Sequence, residues 1–157
     1  MYRFLLVVLL LISCSANAGS VQPFVVGSMK QIEQKYEGKP FVLVLWSLSC
    51  AYCPKELKML GELKQKNPSM NVVLLASDTP EQSPEIEQQL KDYGLGSADQ
   101  WVFADAMPER LRFEVDRRWY GEVPRTYFYD AAHQRQVKMG VVDRAFVEAW
   151  LRQIKLQ

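Results

Sequence analysis

The sequence predicts an α/β fold, a central mixed β-sheet flanked by helices. Three observations carry this. Residues 41–46, and 71–76 apart from Asn71, are continuously apolar, as expected of strands buried on both faces. Segments with helical apolar spacing alternate with these runs, and the chain closes on a strand pair and a helix. In order, 22–26 is a short strand and 28–36 a helix with Ser28 as its cap, broken at Gly38-Lys39-Pro40. Strand 41–46 follows, then a helix from Pro54 with Leu57, Leu60 and Leu63 on one stripe, stopping near Asn67-Pro68. Strand 71–76 leads into a loop over 78–84, a helix over 85–93 ended by Gly94, and a strand over 100–104. Asp105 and Pro108 start another helix, along which Leu111, Val115 and Trp119 recur every four residues. Strands 126–129 and 136–141 pair through a turn at 130–134. Asp143 caps a last helix whose buried stripe is Phe146, Trp150 and Ile154, with Val147 and Leu151 beside it.

The start of the chain reads as an export signal. Arg3 supplies a basic start, 4–12 an apolar core and Ala16-Asn17-Ala18 a small-residue cleavage site. That core is shorter than the about 20 residues that span a bilayer as a permanent helix. The expected division is a signal peptide over 1–18 and one domain over 19–157. Leu11-Ile12-Ser13-Cys14 also resembles a bacterial lipobox, so the competing expectation is a lipoprotein anchored at Cys14. Removing 1–18 takes Arg3 and no acid, so 19 basic residues fall to 18, matching the 18 acidic ones. That balance leaves no electrostatic footprint for nucleic acid or anionic membrane. Cleavage after Ala18 also removes Cys14 and leaves Cys50 and Cys53 as the remaining thiols. An exported protein stabilised by disulfides usually has more cysteines, so this single close pair is expected to be worked.

Cys50-Ala51-Tyr52-Cys53 lies where the first apolar run gives way to a helix. Two cysteines three apart on a first helical turn have α-carbons within disulfide range, about 4.4–6.8 Å. A thiol at a helix start also meets unpaired N–H groups and the positive end of the helix dipole, which favour its thiolate. Cys50, placed at the N-cap, is the expected nucleophile. Cys53, more buried one turn on, is expected to resolve the mixed disulfide. Zinc generally needs four ligands, and His133 is the single histidine available to join this pair.

Trp46 four residues before Cys50, the Cys-x-x-Cys opening a helix, and Val123-Pro124 just before strand 126–129 resemble the thioredoxin superfamily. The resemblance covers most of 22–155. The sequence is most similar to the exported TlpA/ResA-like branch, with 78–104 representing its extra strand–helix insertion and Asp130 an acidic turn after the Pro124-Arg125-Thr126 strand entry. The resemblance implies a thioredoxin-like fold and a thiol–disulfide oxidoreductase in the periplasm. Its reactive group is the Cys50–Cys53 disulfide, with no separate cofactor or metal. Its implied partners are protein or peptide disulfides and a membrane or periplasmic electron-transfer protein. Reduction is the implied direction, although Ala51-Tyr52 does not set it. The sequence departs from the family at Val44, usually a buried acid, and at Ser49, usually tryptophan. It departs again at Pro54, usually Lys or Arg, and at Arg125, often threonine.

The resemblance makes Pro124 a cis-proline that holds the Val123 backbone outward for a client strand; a trans proline opening an edge strand is the alternative. Arg125 is read either as a surface arginine or as a contact for thiolate or acidic substrates. Trp46 is expected to pack beneath the active-site helix and Tyr52 to shape the exposed rim. Glu56, three after Cys53 and so on the same helical face, matches a glutamate of the TlpA/ResA-like proteins. It either raises the buried thiol's pKa and shuttles its proton, or is a solvated glutamate paired with a lysine. Two rival functions remain. One is a copper carrier using both sulfurs, with His133 expected as a solvated turn residue about 17 Å away at the opposite pole. The other is a binding module whose disulfide senses redox state. A peroxidase is disfavoured, because no Thr-x-x-Cys pattern is present.

Overall fold

A computed structural model describes residues 20–154, so the expected signal peptide and Cys14 lie outside the described residues. The elements run β1 (Gln22–Phe24), α1 (Ser28–Lys35), β2 (Phe41–Trp46), α2 (Cys53–Lys66), β3 (Val72–Ala76), α3 (Ser83–Asp92) and β4 (Asp99–Phe103). They continue with α4 (Pro108–Val115), β5 (Arg125–Tyr129), β6 (Arg135–Met139) and α5 (Arg144–Ile154). The strands form one sheet in the order β1-β4-β3-β2-β5-β6. β1, β4, β3 and β2 are parallel, and β5 is antiparallel to both of its neighbours, β2 and β6, giving the mixed sheet that the sequence predicts.

Alternation along the strands splits the core into two layers. Val42, Val44 and Trp46 of β2, with Leu74 and Phe128, face α2, α3 and α5 through Leu57, Leu60, Ile86, Leu90, Val147 and Trp150. Phe41, Leu43 and Leu45, with Leu75, Tyr127 and Tyr129, face α1 and α4 through Ile32, Leu111 and Val115. Every residue of β2, β3 and β5 is buried, whereas every residue of the edge strand β6 is exposed. At α5 the deepest residues are Val147, Trp150 and Leu151, with Phe146 and Ile154 half-buried at the margin.

Several expected boundaries move, each for a local reason. β1 stops at Phe24, because the Val25 carbonyl takes the Ser28 N–H and turns the chain. Gly27, at φ 95°, is the N-cap of α1; Ser28 is instead buried, its hydroxyl accepting the Val25 N–H at 2.9 Å. α2 begins at Cys53 rather than Pro54, and α3 begins at Ser83 after a short 3-10 turn over Pro80–Gln82. α4 ends at Val115 because Asp116 is extended, so Trp119 reaches the core from a loop rather than a helix. β6 runs over 135–139, and Gly140 at φ 74° turns the chain out of it.

Candidate active site

β2 delivers the chain to the carboxyl end of the parallel strands, where Ser47 to Tyr52 form the turn before α2. The turn is held from β3's end by Asp78, which accepts the Ser47 hydroxyl at 2.9 Å and the Leu48 N–H at 3.0 Å. The Ser47 carbonyl accepts the Cys50 N–H at 3.1 Å, and its hydroxyl oxygen accepts the Ser49 N–H at 3.2 Å.

Cys50 and Cys53 are joined as a disulfide, with α-carbons 5.5 Å apart. Cys50 is half-buried and Cys53 fully buried, the inequality expected of an attacking and a resolving sulfur. Cys50 is not the N-cap: that place belongs to Tyr52, and Cys53 is the first helical residue. The helix start reaches Cys50 by another route, since the Cys53 N–H donates to Cys50 Sγ at 3.1 Å. An orphan donor of the first turn is thus aimed at the sulfur that would carry negative charge. Pro54 follows at a helix position where its missing N–H costs no intrahelical bond.

Around the disulfide, Trp46 is buried in the same core layer as Cys53, with no partner for its indole N–H among the described residues, and Tyr52 is 72% exposed. Val44 is buried in the same layer as Trp46 and Cys53. Glu56 is buried, which replaces the solvated, lysine-paired alternative. Its Oε1 accepts the Thr126 hydroxyl and its Oε2 the Val142 N–H at 3.0 Å. Burial pushes its carboxyl above the ordinary range, against the pull of those two donors. Glu56 therefore ties α2 to β5 and to the turn before α5.

The Val123–Pro124 peptide bond is cis, and the Pro124 carbonyl accepts the Gly140 N–H at 2.9 Å. Val123 is half-buried and Pro124 buried. Both belong to this pole, because β5 runs antiparallel to β2 and its first residue, Arg125, pairs with Leu45. Arg125 is not a surface arginine. It is buried, with Nε donating to the Tyr127 hydroxyl at 2.6 Å and Nη2 to Asp116 at 3.3 Å. His133 lies at the other pole, edge-on to Phe41, with Nε2 2.9 Å from the Tyr36 carbonyl. It is half-buried and braces the turn rather than being solvated.

Sequence reading missed Asp78 and Asp116. Asp78 had a usable signal: it is an acid two residues past a central parallel strand, where the β2 turn also lies. Asp116 had none, since periodicity placed it inside a helix.

No family model matches the sequence, and no curated protein matches it. Solved structures do. One is a secreted disulfide oxidoreductase of Mycobacterium tuberculosis described as homologous to E. coli DsbE, at 20% identity and TM-score 0.59, over 76% of this chain and 85% of that one. Another is a thiol:disulfide interchange protein of the thioredoxin family from Chlorobium tepidum, at 17% identity and TM-score 0.60, over 78% and 83%. StoA from Bacillus subtilis matches at 16% identity and TM-score 0.54, over 73% and 84%. A six-stranded mixed sheet with helices on both faces, and a Cys-x-x-Cys disulfide at the start of α2, give this chain a thioredoxin-like fold.

Proposed function

We propose that the protein is an exported thiol–disulfide oxidoreductase that reduces disulfides in client proteins. The observation that carries this reading is the unequal cysteine pair: a half-exposed sulfur receiving a helix-start N–H, bonded to a buried one. In the reduced protein the Cys50 thiolate attacks one sulfur of the client disulfide and expels the other as a thiolate, which takes up a proton. Cys53 then loses its proton and attacks Cys50 in the mixed disulfide, releasing the second client thiolate. Two electrons have passed to the client, and the Cys50–Cys53 bond has formed. A redox partner returns two electrons by the reverse exchange.

Glu56, one turn beyond Cys53, is the acid at hand for the buried thiol. Its negative charge disfavours the Cys53 thiolate until the mixed disulfide forms, and its carboxylate takes the proton when Cys53 attacks. Val123 presents backbone to a client strand, with Tyr52 at the rim and Trp46 beneath the helix. Export and a periplasmic location rest on residues 1–18, and the lipidated form anchored at Cys14 is the alternative route to the same compartment. Among the described residues, no helix is long and apolar enough to cross a membrane.

Insulin reduction under dithiothreitol tests the activity, and thiol trapping across glutathione buffers tests the direction. The protein is expected to speed insulin reduction with a potential near −270 mV; a value near −120 mV would make it an oxidant. Failure to act on insulin at all would leave only the fold.

A further inference from the structure

A buried ionic cluster, separate from the disulfide, staples the root of the loop that carries Val123 and Pro124. Asp116, the C-cap of α4, and Arg125, the first residue of β5, mark the two ends of this loop. Their side chains are 5% and 7% exposed. Arg125 Nη2 lies 3.3 Å from Asp116 Oδ2, and the Tyr127 hydroxyl donates to the same oxygen at 3.0 Å. That hydroxyl also accepts from Arg125 Nε at 2.6 Å, closing a three-membered ring of bonds. Asp116 Oδ1 turns into the loop and accepts the Arg118 N–H at 3.0 Å. Arg135 approaches Oδ2 to 3.6 Å from β6 and donates to the Val115 carbonyl at 2.9 Å. Farther along, the Trp119 indole N–H donates at 2.9 Å to the carbonyl of Glu122, the residue before Val123.

Some of these bonds tie the loop's two roots to each other and to β5 and β6, and the Asp116–Arg118 and Trp119–Glu122 bonds brace the loop from within. Charge-assisted bonds of this kind are directional, and inside the protein they are little screened. A client strand that pairs with Val123 needs that backbone already oriented. Otherwise the loop must be ordered at the moment of binding, which weakens the complex. A small disulfide needs access to Cys50 and nothing from the loop.

We propose that Asp116 and Tyr127 are positioning residues for client binding. Acting through Arg125, they fix the Val123–Pro124 backbone and so favour extended polypeptide disulfides over small ones. This rests on the oxidoreductase reading and extends it to the class of substrate taken.

Tyr127→Phe removes one hydroxyl from the cluster and leaves the ring in the core; Asp116→Asn is the harsher companion. KM and kcat are measured with insulin, the second-order rate with bis(2-hydroxyethyl) disulfide, and the Cys50 titration by alkylation. Tyr127→Phe is expected to raise KM for insulin about tenfold, the scale of one lost charge-assisted bond. The small-disulfide rate and the Cys50 titration should stay at wild-type values. Parallel loss on both substrates, or no change on either, overturns the proposal. If wild-type protein leaves insulin intact, the oxidoreductase reading falls first and takes this inference with it.

Discussion

Glu56 carries an electrostatic load that its two hydrogen bonds do not remove. Its carboxyl is held above the ordinary range, so between the unfolded and folded values the native state binds more protons than the unfolded chain. Stability from this residue therefore falls as pH rises through and beyond about 4.3, the unfolded value, and levels off above the folded one. Glu56→Gln removes the charge, and its amide can still accept from Val142 and donate to Thr126. The variant should gain stability relative to wild type as pH rises from 4 to 8, measured by denaturant midpoints. A difference that stays flat with pH would show that the carboxylate is not strained by burial. Asp116 has the opposite character. Burial alone would raise it, but the Arg118 N–H, the Tyr127 hydroxyl and two arginines hold it below the ordinary carboxylate range. One fold thus keeps one buried acid easy to protonate and another hard.

At the scale of elements, α2 is positioned as much by a missing side chain as by its leucines. A β-carbon at Gly61 would lie 1.8 Å from the Tyr93 carbonyl oxygen, so α2 and the end of α3 touch backbone to backbone there. Alanine gains about 1 kcal/mol over glycine in an isolated helix. Here the clash outweighs it, because moving α2 would disturb Cys53 at one end and Leu57 and Leu60 beneath. Gly61→Ala is expected to lower the melting temperature by about 5 °C or more. An unchanged or raised melting temperature would mean that the two helices separate freely. How far each element was legible follows from what sets it. β2 and β3 could be read because burial on both faces leaves an unbroken apolar run. The end of α4 could not: Leu111, Val115 and Trp119 keep helical spacing although the helix stops at Val115. That stop is set by Asp116, whose extended backbone and salt bridges depend on β5 and β6. For the same reason, Arg125 reads from sequence as a surface arginine or a substrate contact, and Glu56 reads either way. The cysteine pair was plain from spacing, yet the donor that reaches Cys50 belongs to Cys53, which only the turn geometry reveals.

Across the molecule, order grades from the middle of the sheet outward. β2 lies between β3 and β5 with helices on both faces, whereas β6 has a neighbour on one side and is exposed throughout. Amide hydrogen exchange should be slowest in β2 and β3, approaching the global unfolding limit, and several orders of magnitude faster along the outer edge of β6. Comparable protection in β6 would point to a partner covering that edge. The active-site pole draws on both core layers: Cys53 and Trp46 belong to one, Trp119 and Tyr127 to the other, and Val123 packs against both.

The open rim of β6 has one more effect. Its sequence sets Arg135 and Lys138 beside Val137 and Met139, the latter two 42% and 73% exposed. An uncovered strand with such aliphatic groups is a template on which further copies can stack into fibrils. Arg135 is turned toward Asp116, so Lys138 is the cation that makes a like-charged copy an unwelcome neighbour. Among the described residues the sheet margin is thus bare, and its charge discourages polymerisation.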